Sequence, residues 1–428
     1  MALSKAQVLV TELIEFRDSF IERNGIENAH HKTEEIERKI KDVLLELDQL
    51  QLLIDNKASF FYLRGQALNI SPNYDSRAVD CLSKAVKLDP SLVEAWNELG
   101  ECYWKDKNID GALNCFNSAI IKCKNKVSLR NLSMVQRQLG TDFDSKVANI
   151  QQSVTTAKEA VAMDVKDGHS WFVLGNAYLS SFFFAGQSPV TLKQCMVAYT
   201  KAEQDKNETT NPDLHYNRAV AFKYQEHFTE ALDGFQKAHQ LDPTWKIPIE
   251  DKMDLVNRLK LTTDACSNKG RLKRKKLTNL INQIKDADFG PYANGTYTSP
   301  LNKSIDLKKT CINELSLNRN DGKVICGKVI AVIPVKDAVP FPFILMDKNE
   351  DCVAVSVFNL AIGKGVIVGD SVALPEPYLE EVNLQLDEQQ ISYRTIRVDN
   401  PVVLVINKRK VGSERLSFSV LDVTNKSS

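Results

Sequence analysis

Residues 93–120, VEAWNELGECYWKDKNIDGALNCFNSAI, carry the pattern that decides the first half of the fold. Large and small apolar side chains recur there at helical spacing, at Trp96, Leu99, Gly100, Tyr103, Ala112, Phe116 and Ala119. Small residues let two antiparallel helices approach closely, while aromatic rings fill the gaps between neighbouring helix pairs. The stretch therefore predicts a helical hairpin that stacks on similar hairpins.

Similar units lie before and after this stretch, the one before it at a period of roughly 34 residues, which is typical of stacked helix–turn–helix repeats. They place matching side chains at Ala78, Leu82, Ala85, Trp171, Leu174, Gly175, Tyr178, Ala219, Phe222, Ala231, Phe235 and Ala238, with Pro90 and Pro243 closing two units. Residues 127–167 predict an irregular hairpin without the aromatic positions, and residues 3–23 and 33–54 predict a capping hairpin. We expect the apolar residues of these units to form the core of a scaffold and to carry no chemistry.

The spacing resembles that of the tetratricopeptide repeat, whose first helices line a concave groove for extended peptides. Counting along those helices predicts a groove-facing set of Glu94, Asn97, Glu101, Lys105, His169, Phe172, Asn176, Asp213, Tyr216 and Lys223. Arg137, on the irregular hairpin, is also expected to project inward. Because the set mixes acids and bases, it suits a peptide with charges of both signs better than a purely acidic tail.

From about residue 300 the pattern changes to short β-branched runs separated by Gly, Pro, Asn and Asp. The candidate strands are KVICGKVIAVIPV, FPFILMD, CVAVSVF, VIVGDSVALPEP, ISYRTIRVD and NPVVLVIN. Their density predicts a small barrel or sandwich, and a five-stranded oligonucleotide/oligosaccharide-binding (OB) barrel fits the count, although strand patterns do not distinguish it from similar barrels.

The predicted fold is therefore α+β and multidomain: an all-α tetratricopeptide-repeat superhelix followed by a small C-terminal OB-like β-barrel. We assign residues 1–57 to a capping helical hairpin, 58–262 to the repeat array with its groove, 263–299 to a basic linker with a short helix, and 300–428 to the OB-fold domain. Residues 300–428 balance 16 basic against 16 acidic residues and show no aromatic series for base stacking. Whether this domain binds protein or nucleic acid therefore stays open.

The whole chain of 428 residues carries 55 Lys and Arg against 55 Asp and Glu, so its net charge is zero. A composition of 43% hydrophobic and 26% charged residues is ordinary for globular domains and excludes wholesale disorder or a collagen-like fibre. No apolar run approaches the roughly 18–20 residues of a membrane span, and the N-terminus lacks a cleavable signal, so we expect neither a secreted nor a membrane protein. The nine scattered cysteines include no C-x-x-C pair and predict reduced thiols.

Residues 269–276, KGRLKRKK, form a basic run with six cations and no acid: Lys269, Arg271, Lys273, Arg274, Lys275 and Lys276. An amphipathic helix, LTNLINQI, is predicted directly after it. Such a run contacts phosphate backbones or acts as a nuclear-import signal, and a solvated linker is the alternative. The net charge divides as +5 over residues 269–299, zero after them and −5 before them, so overall neutrality does not exclude a polyanion partner.

No catalytic or metal-binding motif is recognisable in the sequence. The GKG at 363–365 does not make a Walker A loop, and Asp347, Asn349 and Asp351 lack the Gly and the distal Glu of an EF-hand loop. His30 and His31 stand at a predicted helix start without a cysteine or carboxylate partner at ligand spacing, and the other histidines (169, 215, 227 and 239) lie in repeat helices, where surface or groove packing is the default. We therefore expect a binding scaffold rather than an enzyme, and no cofactor.

Beyond the repeats, the chain resembles the tetratricopeptide repeat protein 5 (Strap) family over nearly its whole length. The resemblance rests on LSKAVKLDPSLVEAWNELGECYWK, CKNKVSLRNLSMVQRQLGTD, NPDLHYNRA, KGRLKRKKL, VPFPFILMD and VIVGDSVALPEP. It implies a ribosome-associated factor that binds the N-terminal tetrapeptide of nascent tubulin and, through an mRNA-decay adaptor and deadenylase machinery, triggers tubulin mRNA degradation. It also implies a stress-responsive transcriptional cofactor with transcriptional coactivators as partners, so we expect a cytoplasmic location and leave a nuclear one open.

The resemblance also assigns roles to individual residues: Arg137 and Asp213 contact the peptide, and Lys273 and Lys275 contact the ribosome. A peptide that starts Met-Arg-Glu offers Arg to Asp213 and Glu to Arg137, while rRNA offers phosphates to the lysines. To these we add Glu94, Asn97, Glu101 and Asn176 as groove contacts, and Arg271, Arg274 and Lys276 as phosphate contacts. The family's acidic residue just beyond the last Trp has no match in the Trp-Lys-Ile at 245–247, and Glu250 is the candidate substitute.

Overall fold

The computed structural model describes residues 1–298, 304–336, 340–386 and 389–417. The chain divides into two units, and the boundary falls between Glu250 and Asp251. The sequence pattern placed the end of the repeat array at residue 262, and that boundary stays a prediction.

The first unit consists of helices that pack in consecutive pairs. These are α1 (Ala2–Asp18), α2 (Phe20–Asn24), α3 (Lys32–Leu50), α4 (Lys57–Asn69), α5 (Ser76–Leu88), α6 (Val93–Lys105), α7 (Ile109–Lys122), α8 (Lys126–Gln136), α9 (Phe143–Met163), α10 (Gly168–Phe184), α11 (Pro189–Ala202), α12 (Lys206–Thr209), α13 (Pro212–Tyr224) and α14 (Phe228–Leu241). The stacked hairpins are α4–α5, α6–α7, α8–α9, α10–α11 and α13–α14, and α1 packs on α3 and α4. The predicted helical repeat region is confirmed.

Local sequence signals set where these helices begin and how closely they pack. Asn125, Asp167 and Asn211 cap α8, α10 and α13, because each side chain accepts a hydrogen bond from a backbone N–H of the first turn. Glycine allows the tight crossing within a hairpin: a Cβ on Gly175 would lie 2.5 Å from Cε1 of the Tyr199 ring. Capping and close packing together fix the register of the helices that line the groove.

Two of the repeat tryptophans are less buried than the prediction of a core role implies. Trp96 and Trp171 are only partly buried, and their indole Nε1 atoms donate hydrogen bonds to the backbone oxygens of Pro90 (3.0 Å) and Val165 (2.9 Å). The rings therefore tie each repeat to the turn before it as well as filling space between hairpins.

The second unit is built around a sheet. Its strands are β1 (Thr296–Thr298), β2 (Ser304–Asp306), β3 (Lys308–Lys309), β4 (Asn318–Arg319), β5 (Lys323–Val332), β6 (Phe341–Met346), β7 (Cys352–Val357), β8 (Ser371–Pro375), β9 (Tyr378–Leu386), β10 (Gln389–Val398), β11 (Val405–Ile406) and β12 (Arg409–Lys410). Strands β1 and β2 form a separate two-stranded antiparallel sheet. The main sheet runs in the order β12-β11-β8-β5-β6-β7-β10-β9-β4, β3 pairs with β5, and β10 lies parallel to β7. Buried apolar side chains from the central strands form one core. The OB-like domain is confirmed in fold class.

One predicted strand is largely absent. The run NPVVLVIN forms a short 3₁₀ turn at Pro401–Val403 and contributes only Val405–Ile406 to the sheet. Asn400 explains the difference, because its side chain accepts a hydrogen bond from the Val402 N–H and starts the turn, with Pro401 at its first position.

The segment predicted as a linker belongs to the second unit. Helix α15 (Ile247–Ser267) begins just before the boundary, and α16 (Arg274–Asn282) packs Leu277 and Leu280 in one core cluster with Ile330 of the sheet. Residues 286–294 form a 3₁₀ segment whose Tyr292 is buried against the sheet. The basic run is therefore followed by a helix that packs on the sheet. Among the described helices, none has the length and apolar character that crossing a membrane requires.

Candidate functional site

The first helices of successive hairpins line a cavity of about 220 Å³ in the first unit. Its walls come from α6, α8, α10 and the start of α13, through Glu101, Trp104, Lys105, Asn131, Met134, Arg137, His169, Phe172, Val173, Asn176, Asn211 and Asp213. The structure thus brings together four of the predicted peptide contacts: Glu101, Arg137, Asn176 and Asp213. Both charge signs and an apolar wall are present within one cavity.

Arg137, directly after the last residue of α8, is the cation of this cavity. The side chain is only 5% exposed, and burial lowers the pKa of its guanidinium to about 10. Its Nε has no hydrogen-bond partner, and no acidic side chain pairs with it among the described residues. A cation buried without a counter-charge is unfavourable, so its presence indicates a position prepared for an anion.

Polar contacts fix the other walls of the cavity. Asn131 Nδ2 donates to Glu101 Oε1 at 2.9 Å, and Lys105 Nζ donates to Asn69 Oδ1 at 2.8 Å. Burial lowers the pKa of Lys105. The Glu101 carboxylate supplies an anion to the cavity wall, while the Lys105 ammonium is already engaged.

A second polar group lies where α10 approaches α13. His169 Nδ1 is 2.6 Å from Glu208 Oε1, and Asn211 Nδ2 donates to Glu208 Oε2 at 2.7 Å. Burial favours the neutral acid, but the charge of His169 and the hydrogen bonds from His169 and Asn211 outweigh it and lower the pKa of Glu208. Asn211 also caps α13 and so positions Asp213, two residues on, at the cavity wall.

Glu98, one turn before Glu101 on α6, is a neighbouring titratable group. Its carboxylate accepts hydrogen bonds from Gln66 Nε2 at 3.1 Å and Asn69 Nδ2 at 2.7 Å. Burial first, and then the charge of Glu101, raise the pKa of Glu98 to about 7. The acidity of this part of the groove therefore changes near neutral pH.

Three predicted peptide contacts do not line the cavity. Glu94 and Glu250 are exposed elsewhere on the unit. Asn97 is buried between helices, where its Oδ1 accepts a 2.7 Å hydrogen bond from Ser128 Oγ. The structure gives Asn97 a packing contact, because the α6 residues on that side of the helix face α8 rather than the cavity.

Sequence counting missed several cavity residues: Trp104, Met134, Val173, Asn131 and Asn211. Asn211 had a visible signal, because Asn followed by Pro marks a helix start. The Asn131 and Met134 positions lay on the irregular hairpin, which lacks the consensus aromatics that set the register elsewhere. No sequence signal identified Glu208, which lies on the short inserted helix α12.

The basic run forms a second candidate site, and its cations fall into two groups. In the first group, Glu350 Oε2 accepts hydrogen bonds from Lys269 Nζ at 2.6 Å and Arg274 Nη1 at 2.5 Å. These two bonds lower the pKa of Glu350 to about 2. Arg271 Nε donates to Asp264 Oδ2 at 2.8 Å. Lys269, Arg271 and Arg274 are therefore already neutralised.

The second group is Lys273, Lys275 and Lys276, at the start of α16. All three are exposed and form no ion pair with another described residue. Gly270 holds the turn before them in place, because its φ of +63° and its approach to Ile330 O leave no room for a side chain. The three lysines are the cations of the run that are free to meet phosphate.

Family models match both units. A model described as the tetratricopeptide repeat protein 5 OB fold domain matches residues 306–420. Models described as the tetratricopeptide repeat match residues 93–120 and 212–245.

Whole-chain relatives agree with these matches. Tetratricopeptide repeat protein 5 from Homo sapiens is 41% identical over 413 residues, which cover 96% of this chain and 94% of that protein. The proteins of that name from Bos taurus and Mus musculus give the same identity and coverage. Among solved structures, YrrB, a TPR protein with an unusual peptide-binding site, matches 48% of this chain and 97% of its own at 17% identity and a TM-score of 0.32. A thermophilic TPR protein from Thermus thermophilus matches 51% and 98% at 15% identity and a TM-score of 0.36.

Proposed function

The chain belongs to the tetratricopeptide repeat protein 5 family, and from this membership we propose a non-enzymatic adaptor that binds the N-terminal tetrapeptide of nascent tubulin in its groove. One observation supports the proposal most directly: the buried Arg137, which lacks a counter-charge, shares a cavity with Asp213. A peptide that begins Met-Arg-Glu offers an anion for the first and a cation for the second.

The complementarity extends to the rest of the cavity. Glu101 supplies a further anion to the same cavity, and Trp104, Met134 and Phe172 supply an apolar wall for an uncharged side chain. A cavity of about 220 Å³ holds a few side chains rather than a folded domain. This size suits a short chain end, which is the part of a protein that leaves the ribosome first.

We place the ribosome contact of this proposal at Lys273, Lys275 and Lys276. Their exposure leaves three ammonium groups available to rRNA phosphates, and binding of this kind weakens as salt rises. In the proposed pathway the ribosome-bound adaptor recruits an mRNA-decay adaptor and deadenylase machinery, and tubulin mRNA is degraded. The corresponding location is cytoplasmic.

A second candidate function is a nuclear, stress-responsive transcriptional cofactor that engages coactivators through the repeats and the OB domain. The same exposed lysines support it, since an import receptor also requires accessible cations. Imaging of a tagged chain with Lys273, Lys275 and Lys276 changed to Gln separates the two: loss of nuclear signal with normal ribosome binding favours the cofactor.

The peptide proposal is tested by measuring the affinity of the full chain for three synthetic peptides. They begin Met-Arg-Glu, Met-Arg-Gln and Met-Gln-Glu and are otherwise identical. We expect the first to bind at least tenfold more tightly than either of the others, because each substitution removes one of the two peptide charges that the cavity complements. Equal affinities for all three would refute the assignment of Arg137 and Asp213.

The ribosome contact is tested by co-sedimentation over a series of salt concentrations. We expect Lys273→Glu combined with Lys275→Glu to reduce pelleting strongly and to lower the salt slope by about one per lysine. The matched control, Lys348→Glu combined with Lys364→Glu, makes the same charge change at exposed lysines of the second unit outside the basic run. If both double variants pellet equally, the basic run is not the contact.

A further inference from the structure

Asn176, on α10, is a buried polar side chain with an incomplete set of hydrogen bonds. Its exposure is 0%, and, like Arg137, it lines the groove cavity. Its Oδ1 accepts hydrogen bonds from Tyr199 Oη at 2.7 Å and Asn217 Nδ2 at 3.2 Å, whereas its Nδ2 has no partner. A buried donor without an acceptor is unfavourable, so the group is available to a ligand that supplies one.

Both hydrogen bonds end on the same atom of the Asn176 amide, its Oδ1. Asn217 approaches with an NH₂ group, which only donates, so the atom that it faces on Asn176 must be the oxygen. The Tyr199 hydroxyl then donates to the same oxygen. Because Oδ1 accepts both hydrogen bonds, Nδ2 is the unpaired end of the Asn176 amide.

Tyr199 connects Asn176 to Arg137. The ring is fully buried in α11, and Gly175 makes room for it, because a Cβ there would lie 2.5 Å from Cε1. The Tyr199 hydroxyl lies close enough to the Arg137 guanidinium for the two groups to influence each other electrostatically. One buried side chain thus holds Asn176 by a hydrogen bond and lies beside the cation of the cavity.

We propose that Arg137 and Asn176 form a two-donor site for a side-chain carboxylate, and that Tyr199 and Asn217 are positioning residues that keep Nδ2 of Asn176 as the second donor. The inference rests on the proposed function in one respect, since the carboxylate is assigned to the Glu of a Met-Arg-Glu peptide. A carboxylate accepts from both donors at once, whereas a carboxamide presents one acceptor oxygen and an NH₂ group that opposes a donor. The site therefore selects Glu over Gln by its donor pattern as well as by charge.

The test compares Glu with Gln in two backgrounds. Acetyl-Gly-Glu-Gly and acetyl-Gly-Gln-Gly, both amidated at the C-terminus so that only the Glu side chain carries a carboxylate, serve as generic carboxylate and amide probes, with affinities from ligand-observed NMR titrations. The Met-Arg-Glu and Met-Arg-Gln peptides serve as the tubulin-like pair. In the parent we expect Glu to be preferred over Gln in both pairs.

The variant that isolates the positioning role is Tyr199→Phe, which removes one hydroxyl and keeps the ring. We expect it to lower the Glu:Gln preference by about tenfold, because Asn176 loses the bond that orients it. Tyr224→Phe is the matched control: it removes a hydroxyl that donates to Gln187 Oε1 at 3.1 Å, outside the cavity, and leaves the preference unchanged. Asn176→Asp, which places an anion beside Arg137, is expected to weaken the Glu probe more than the Gln probe.

The outcomes separate the inference from the proposed function. An unchanged Glu:Gln preference in Tyr199→Phe, with thermal unfolding like that of the parent, overturns the positioning role, and equal binding of the two tripeptides by the parent overturns the carboxylate site. If the tripeptides show the preference but Met-Arg-Glu binds no better than acetyl-Gly-Glu-Gly, the carboxylate site stands and the tubulin assignment falls. If Tyr199→Phe unfolds early, the Asn176→Asp comparison decides in its place.

Discussion

Replacing Arg137 with Met is expected to stabilise the free protein and to weaken the binding of an acidic peptide strongly. The guanidinium is 5% exposed, no acidic partner faces it among the described residues, and burial brings its pKa from an ordinary 12.5 down to about 10. Methionine keeps most of the apolar stem, adapts to irregular space and carries no charge. Its side chain therefore removes the unfavourable burial of a cation without opening a large void.

The magnitude follows from the pKa shift. A difference of about 2.5 pKa units at 1.36 kcal/mol each makes the folded state less stable by about 3 kcal/mol while Arg137 stays charged. The sign is that of a base with a lowered pKa: the penalty is fully present at neutral pH and fades only as pH rises from about 10 towards 12.5. Lost packing offsets part of the gain, so we expect a net increase of about 1–3 kcal/mol in the free energy of unfolding. Because the peptide's Glu loses its buried charge partner, the binding free energy of the Met-Arg-Glu peptide becomes less favourable by about 2–4 kcal/mol, which raises Kd roughly 30- to 1,000-fold.

The assay is denaturant unfolding at neutral pH, followed by far-UV circular dichroism, together with peptide titrations on the same preparations. Arg130→Met is the matched control, because Arg130 lies on α8, which ends just before Arg137, and pairs with Asp167 at 3.2 Å. Removing it leaves that carboxylate with one partner fewer, so the control is expected to lose stability rather than gain it. An Arg137→Met variant that unfolds at or below the parent's denaturant midpoint while binding the peptide normally would refute the reasoning on both counts.

Three further predictions concern residues other than Arg137 and its control, Arg130. The pKa of Glu98 is about 7 in the folded state, so the parent protein should become less stable as pH rises from about 4.5 to 7. Thermal unfolding scans should show a flatter pH profile for Glu98→Gln. A profile that the substitution leaves unchanged would contradict the raised pKa of Glu98. Glu350→Gln should free the side chains of Lys269 and Arg274 and so raise the salt concentration needed to elute the protein from a phosphate resin. Elution at the same or a lower salt concentration than the parent would contradict this prediction. Gly175→Ala should destabilise the first unit by about 1–3 kcal/mol in denaturant titrations, since its Cβ meets the Tyr199 ring; a neutral effect would mean that the ring moves freely.

The repeat fold was predictable because its signals are local. The spacing of Trp96, Gly100 and Phe116 reports a contact between two helices only a few residues apart, and the same spacing recurs. Once one hairpin is in register, counting along the first helix predicts groove residues such as Glu101 and Asn176. Asn97 shows the limit of this counting, because the face of α6 that it occupies is covered by the next hairpin through Ser128.

Tyr199 was not predictable as part of the site, because its sequence position is unremarkable for a repeat. It lies on the second helix of its hairpin, which the groove pattern treats as structural, and it reaches the cavity only through its hydroxyl contact with Asn176. The glycine that admits its ring, Gly175, was visible in the sequence as a consensus position. The consensus glycine thus predicted that the two helices pack closely, but not that this packing brings the Tyr199 hydroxyl to Asn176.

The basic run shows why charge counting predicts a site only in part. Six cations in eight residues suggest a uniform patch, yet half of them are neutralised by Asp264 and by Glu350, which lies 76 residues beyond Arg274. No window of sequence joins Glu350 to the run, because the turn that carries it is brought there by the sheet on which α16 packs. What a phosphate backbone meets is therefore three lysines at the start of one helix, Lys273, Lys275 and Lys276, held by neighbours whose charges are already paired. Substituting any of these three lysines should therefore weaken polyanion binding strongly, whereas substituting Lys269 should weaken it little. The sequence alone does not make this distinction.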